Sequence, residues 1–241
     1  MIRSPMPPMR VRVLSGLALA VLTSACGSDA NFSSTAPSIT PPTTSTTPVS
    51  VPSSVTPWSS LPPISDAAKN LVVNYNLNLV YRGADVGAVK RWASGASIRV
   101  YADPAFRPQD VVTAINTWQA VLAGKITFVI VGDATSADVV FTFDSSITDP
   151  GVCGLEGADN LVGNVITHGS GRYATRPGCV SSSNDWSLGL THGLGHILWI
   201  GGHTAPGTDI MSSSNPIFVM SPLLSESTNW VYSVPPGTKP Q

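Results

Sequence analysis

Apolar and polar residues alternate over Ser97–Tyr101 (Ser-Ile-Arg-Val-Tyr), a period of two that predicts a half-buried strand. Asp103-Pro104 ends it, and after Pro108 the period changes. Val111, Ile115, Trp118 and Leu122 fall at i, i+4, i+7 and i+11, one face of a helix that Gly124 stops. Ile126–Val131 and Ala137–Phe143 read as two more strands, 145–160 as loop, and Val162–Thr167 as a further strand. The polar run Ser181-Ser182-Ser183-Asn184-Asp185 offers N-caps for a helix from about Trp186 to Ile200. A short last helix is expected near Leu224–Ser233. Strand, helix, strand, strand predicts an α/β (α+β) domain, a mixed sheet with a helix packed on one face. Trp118 and Trp230 are expected in its core.

Neither pattern holds at the start of the chain. Arg3, Arg10 and Arg12 precede the uncharged apolar run Val13–Ala25, which is shorter than the ~20 residues a membrane-spanning helix needs. Residues 1–26 therefore read as a secretion signal. It ends in Leu22-Thr23-Ser24-Ala25-Cys26, which resembles the bacterial lipobox. Cys26 would then be lipidated and become the new N-terminus; the alternative is ordinary cleavage near Ala25, leaving a free cysteine. From 27 to 63, 25 of 37 residues are Ser, Thr or Pro, and Asp29 is the sole charge. Such a segment buries too little apolar surface to offset its ordering entropy, and proline keeps it extended. Residues 27–65 are expected to be a disordered tether, possible O-glycans included, and 66–241 the folded domain.

Composition narrows the partners. Roughly 175 residues suffice for one domain with a sizeable core. Net charge is −1 with 11% charged residues, and there is no basic patch, so nucleic acid is not expected as a partner. With Cys26 taken by lipid, Cys153 and Cys179 remain. In an oxidising compartment a disulfide between them is the simplest inference, worth roughly 3–4 kcal/mol in the chain-entropy model; two buried thiols are the alternative.

Three of the four histidines stand within residues 192–203 (His-Gly-Leu-Gly-His-Ile-Leu-Trp-Ile-Gly-Gly-His). His192 and His196, at i and i+4, share a helix face with Cβ atoms ~5–6 Å apart. Two imidazoles so placed can reach one zinc at ~2.0–2.1 Å. His203 would be the third ligand, arriving after the chain turns at Gly201-Gly202, where glycines are expected to supply a left-handed backbone. Three protein ligands leave a place for water, the layout of a catalytic site. The alternative is a pair of histidines on a buried helix with no metal. His168 is expected at the surface, Asp138 at a strand end, and an Asp159-Asn160 loop could bind Ca2+ as any polar loop could.

This stretch resembles the active site of the metzincin metallopeptidases, in their matrixin-like branch, which carries His-Glu-x-x-His-x-x-Gly-x-x-His and then a tight turn with a methionine beneath the metal. His192, His196 and His203 match the ligands, and Met211 matches the Met-turn. The order of elements over roughly 95–233 is also similar. The resemblance implies a mixed twisted sheet with two long helices, a Met-turn and a short C-terminal helix. It implies one zinc, peptide or protein as substrate, and hydrolysis of peptide bonds by a metal-activated water. With the signal sequence, it implies an exported lipoprotein, anchored at the cell surface or in the periplasm through Cys26, and a monomer. The central-loop histidines of the branch's second, structural zinc are absent.

The chain departs from the family pattern twice. One extra residue separates His196 from His203, so Trp199 or Ile200 stands at the family's glycine. More consequential, Gly193 occupies the place of the motif glutamate, the base that takes a proton from the attacking water and hands it to the leaving amine. That shuttle is typically worth ~10²–10⁴-fold. Glu156 and Glu226 are remote in sequence. Gly189, Gly193 and Gly195 each cost a helix ~1 kcal/mol relative to alanine, so packing must hold this one. Two functions follow: a zinc metalloendopeptidase with activity weakened or lost, or a non-catalytic zinc-binding pseudo-peptidase that holds peptide or envelope material. A third is a structural surface domain without metal. On this reading Gly193→Glu restores a base, raises activity at least ~10²-fold and does not harm folding.

Overall fold

A computed structural model describes residues 55–179 and 185–241. The signal sequence, Cys26 and most of the tether lie outside the described residues, as do Ser181–Asn184 of the expected caps. The strands are β1 (Val55–Thr56), β2 (Arg91–Trp92), β3 (Ser97–Ala102), β4 (Thr127–Ile130), β5 (Val139–Phe143), β6 (Gly154–Val162), β7 (Val165–Tyr173) and β8 (Lys239–Pro240). The α-helices are α1 (Asp66–Val72), α2 (Pro108–Val121), α3 (Ser187–Leu198) and α4 (Pro222–Val231), and a π-helical turn, Val73–Leu77, extends α1.

The period-two segment is β3, with Ile98 and Val100 buried between exposed neighbours. Pro108 opens α2, Val111, Ala114 and Trp118 line its buried face, and Gly124, at φ +75°, ends the turn beyond it. Six strands form one twisted sheet in the order β2-β7-β5-β3-β4, with β6 on the outer side of β7. Every pairing is parallel except β6 with β7. The α/β (α+β) expectation therefore holds as a mostly parallel mixed sheet with four α-helices.

The region after Phe143 differs from the sequence reading. Residues 154–160 are strand rather than loop, and 162–167 spans the turn of a β6–β7 hairpin, with Gly163 at φ +60°. Alternation is masked here because glycines replace the inward-facing apolar residues. A Cβ at Gly171 would lie 2.7 Å from Phe141 Cδ1, and one at Gly169 would meet Ile197 of α3. Backbone, not side chain, makes the close approach of sheet to helix.

Helices α2 and α3 pack side by side, joined by Trp118 Nε1 donating to the Thr191 carbonyl at 2.7 Å. Trp118 and Trp230 are both buried, as expected. Residues 55–65, expected as the end of the tether, lie against α4 instead. Trp58 stacks on Trp230 with ring centroids 5.1 Å apart, Lys69 Nζ sits 4.4 Å over Trp58, and Trp230 Nε1 donates to the Pro62 carbonyl. Two tryptophans bury enough apolar area to order a Ser/Pro-rich segment that composition alone assigns to solvent. Cys153 and Cys179 are disulfide-bonded, with Cα atoms 5.1 Å apart, tying the start of β6 to the approach of α3. Among the described residues no helix is long and apolar enough to cross a membrane.

Candidate metal centre

The start of α3 is held from outside the helix. Asp110 of α2, itself buried, accepts from Trp186 N at 3.0 Å, and Asp185 accepts from the backbone and hydroxyl of Ser187. From Leu190 to Leu198 every residue of α3 is buried. Its glycines answer to that crowding. A Cβ at Gly195 would overlap Met211 Sδ and stand 2.6 Å from Trp118 Cζ2. One at Gly193 would overlap the Tyr173 hydroxyl and stand 2.7 Å from Glu156 Cγ. Only at Gly189 is there ordinary room, its nearest neighbour being Trp186 Cε3 at 3.5 Å.

His192 and His196 aim Nε2 at one another across 3.0 Å. Their outer nitrogens are both engaged: His192 Nδ1 lies 2.6 Å from the Ile210 carbonyl, and His196 Nδ1 lies 2.7 Å from the Ile200 carbonyl. A carbonyl can only accept, so each Nδ1 carries the proton and each neutral ring turns an Nε2 lone pair inward. Burial lowers the pKa of all three histidines, His192 to about 4, which keeps the rings neutral. Two lone pairs facing each other repel unless a cation lies beside them. Tetrahedral bonds of ~2.0–2.1 Å set neighbouring nitrogens ~3.3 Å apart, close to the spacing seen. His203 completes the group, its ring centroid 5.2 Å from that of His192 and 4.9 Å from that of His196, and its Nε2 is buried without a hydrogen-bond partner. The three histidines thus place donor atoms within 4.8 Å of one another, close enough to hold a metal ion. Among the described residues no other group of three or more His, Cys, Asp or Glu side chains gathers donors in this way.

The turn that brings His203 back is built differently from the sequence expectation. Gly201 and Gly202 do not have left-handed backbones; the positive-φ residues lie elsewhere. They are glycines because Leu79 and Tyr75 pack onto them, leaving no room for a Cβ. Gly201 N donates to the Tyr75 carbonyl, and the buried Asn76 donates to the Trp199 carbonyl. The extra residue between His196 and His203 is absorbed where α3 ends: Trp199 N and Ile200 N both bond to the Gly195 carbonyl. Met211 is fully buried against Gly195, beneath the helix that carries the histidines. Its loop is organised by Asp209, which is buried and accepts from Thr204 Oγ1, Met211 N and Ser221 Oγ at 2.6, 2.8 and 2.6 Å. Asp209 escaped the sequence reading, although an acid two residues before Met211 in an otherwise Ser/Thr-rich loop was a usable signal.

Of the two remote glutamates, one reaches α3. Glu226 is engaged at the start of α1, accepting from Ser65 N and Oγ at 2.7 Å each. Glu156, on edge strand β6, packs on Gly193. Glu156 is half-buried, and the desolvation of its carboxyl pushes its pKa up to about 8 against the opposing hydrogen bond from the Tyr173 hydroxyl. That hydroxyl also lies 3.3 Å from the Gly189 carbonyl. The structure therefore revises the expectation for Gly193→Glu: the position has no room for a side chain while Glu156 and Tyr173 are there. The remaining polar candidates are local. His168 is partly exposed, with Nδ1 3.2 Å from Asp159. Asp159 and Asn160 lie at a bulge of β6 rather than in a loop, and among the described residues Asp159 belongs to no group of three or more His, Cys, Asp or Glu donors. Asp138 precedes β5 and holds Arg99 with both carboxylate oxygens.

The chain matches no protein-family model, and comparison with curated proteins gives no significant match.

Proposed function

We propose that this chain is a zinc-dependent endopeptidase of metzincin-like, matrixin-related type. The observation that carries this reading is the convergence of three imidazoles, two of which have their protonated nitrogens tied outward to the Ile210 and Ile200 carbonyls. Nitrogen donors alone, three in number, suit zinc with an open coordination position better than the oxygen-seeking Ca2+ or Mg2+. Bound zinc supplies a Lewis acid for a substrate carbonyl and lowers the pKa of water toward ~7–9. The protein's own part is positional. The Ile200 and Ile210 carbonyls fix two ring orientations, and Asp209 fixes the loop that supplies one of those carbonyls. The half-buried His203 borders a hollow lined by Leu71, Tyr75, Ala205 and Leu223 on its apolar side and by Thr208 and Ser221 on its polar side, a suitable margin for a peptide. The substrate class is peptide or protein outside the cell. The lipobox-like Cys26 supports an exported, lipid-anchored protein.

Gly193 favours a second reading, a pseudo-peptidase that binds peptide or envelope material without cutting it. One preparation separates the two. The domain from Val55 onward, refolded with zinc, is expected to hold close to one zinc per chain, and His203→Ala is expected to lose it. Zinc-free protein at this step overturns the metal reading. Cleavage of a quenched fluorescent peptide library that stops on adding chelator supports the peptidase; zinc-loaded protein that binds peptides and cuts none supports the second reading.

A further inference from the structure

In the helix of the motif, the side chain after the first histidine would start from the Cβ of residue 193. That point is occupied, but by another residue. Glu156 Cγ lies 2.7 Å from it and Glu156 Cβ 3.4 Å, so the glutamate's stem runs through the space that a helix-borne glutamate would use. The path is cleared by glycine at both ends. A Cβ at Gly193 would collide with the stem, and a Cβ at Gly154, two residues back on the same face of β6, would collide with the carboxyl, 2.9 Å from Cδ. Gly171, directly opposite Glu156 on β7, leaves its own inward space to Phe141 and Tyr173. Tyr173 then steadies the carboxyl by its hydroxyl. An edge strand has no structural need for a half-buried carboxyl packed against a helix, where its partial desolvation costs stability. Glu226, the other candidate, is committed to Ser65.

We propose that Glu156 is the acid–base carboxylate of the three-histidine site, carried on the edge strand β6 instead of on the helix, and that Gly193 is glycine in order to admit it. The loss at 193 and the carboxyl at 156 are one exchange of position. This rests on the peptidase reading above. The step it assigns is as follows. Glu156 accepts one proton from water; the water oxygen bonds to the carbonyl carbon of the scissile peptide. The carbon–nitrogen bond then breaks, its electron pair leaving with nitrogen, which takes the proton back from Glu156. Water and peptide bond are consumed, and a carboxyl and an amine are released. Tyr173 is a positioning residue that acts through Glu156.

Two measurements on the zinc-loaded domain test this. In the first, Glu156→Gln keeps the shape and removes the base. Peptide cleavage is expected to fall at least ~10²-fold, with zinc still one per chain and the thermal midpoint not lowered. Tyr173→Phe is expected to lower kcat by a smaller factor and leave KM unchanged. Native protein that cuts peptides, with Glu156→Gln cutting as fast, overturns the role of Glu156 and leaves the peptidase reading intact. Native zinc-loaded protein that cuts nothing overturns both. The second measurement does not depend on turnover. Gly193→Ala is expected to lower the thermal midpoint of the metal-free and the zinc-loaded domain, and to lower it less when Glu156→Ala is also present. An unchanged midpoint, or an equal loss in both backgrounds, means the two residues do not share the space and overturns the proposal.

Discussion

Helices α2 and α3 lie against each other and are built on opposite terms. Helix α2 has 14 residues, a proline at its first turn, an acid just after it, and a buried stripe beside an exposed one. It would be recognised as a helix in any fold. Helix α3 has 12 residues, three glycines and no exposed face over its last nine positions. Its own propensity argues against it by ~1 kcal/mol per glycine, and its stability comes from what surrounds it. The difference separates a helix that supports from a helix that must let other groups come close. Two of the glycines are contact sites, one for Met211 and Trp118 and one for Glu156 and Tyr173. A side chain at either would push away a part of the candidate site.

Trp118 is where the two helices meet, and its loss is the largest effect expected. It is fully buried, donates to the Thr191 carbonyl of α3, and lies over Gly195. Trp118→Ala leaves a large cavity and removes the added hydrogen bond to the Thr191 carbonyl, for an expected loss of ~3–5 kcal/mol. Urea unfolding measures it. Because the cavity opens beneath the histidine helix, the variant is also expected to hold zinc more weakly. A loss below about 1 kcal/mol would mean that α3 does not depend on α2.

The contrast between the helices also explains what could be read in advance. Helix α2 and strands β3 and β5 were legible because each buries one face against water, which leaves a period in the sequence, and β4 because its run is β-branched and aromatic. The three histidines and Met211 were legible because metal ligation needs particular residue types at particular spacings. The β6–β7 hairpin was not, since Gly154, Gly169 and Gly171 replace the alternation with close contacts to their backbone. The docking of 55–65 was hidden because its contacts, Trp58 on Trp230 and Ser65 on Glu226, join residues more than 150 positions apart. Gly193 was seen as an absence. That it is a space filled by Glu156 depends on the pairing of two distant elements, which no local pattern encodes.

Gly195→Ala sharpens the comparison by setting propensity against contact. On propensity the change should stabilise α3 by ~1 kcal/mol. The would-be Cβ stands 2.6 Å from Trp118 Cζ2 and overlaps Met211 Sδ, and both neighbours are fully buried with nowhere to retreat. Overpacking of this kind typically costs ~1–3 kcal/mol. We expect a net loss of ~1–2 kcal/mol, partly recovered when Met211→Ala is added, measured by the same urea unfolding. A stabilised Gly195→Ala would show that the Met211 contact is loose and that the glycine has no packing role.

Gly189→Ala is the smallest effect and the cleanest test, because here the two considerations agree. Gly189 is in the first turn of α3, and a Cβ there meets Trp186 Cε3 at 3.5 Å, Tyr173 Cε1 at 3.8 Å and Trp186 Cζ3 at 3.9 Å, all ordinary van der Waals distances. The backbone is helical, so alanine adopts it without strain. The substitution reduces the freedom of the unfolded chain and adds apolar contact against two aromatic rings, which together give about 0.4–1 kcal/mol of stabilisation. Three glycines in one short helix would then respond in three ways to the same added methyl group. Residue 189 gains, 195 loses, and 193 loses by an amount set by whether Glu156 is present. If Gly189→Ala instead destabilises the domain while zinc content is unchanged, the Tyr173 hydroxyl at the Gly189 carbonyl is less tolerant of movement than its 3.3 Å contact implies. The aromatic wall that positions Glu156 would then extend to the start of the helix.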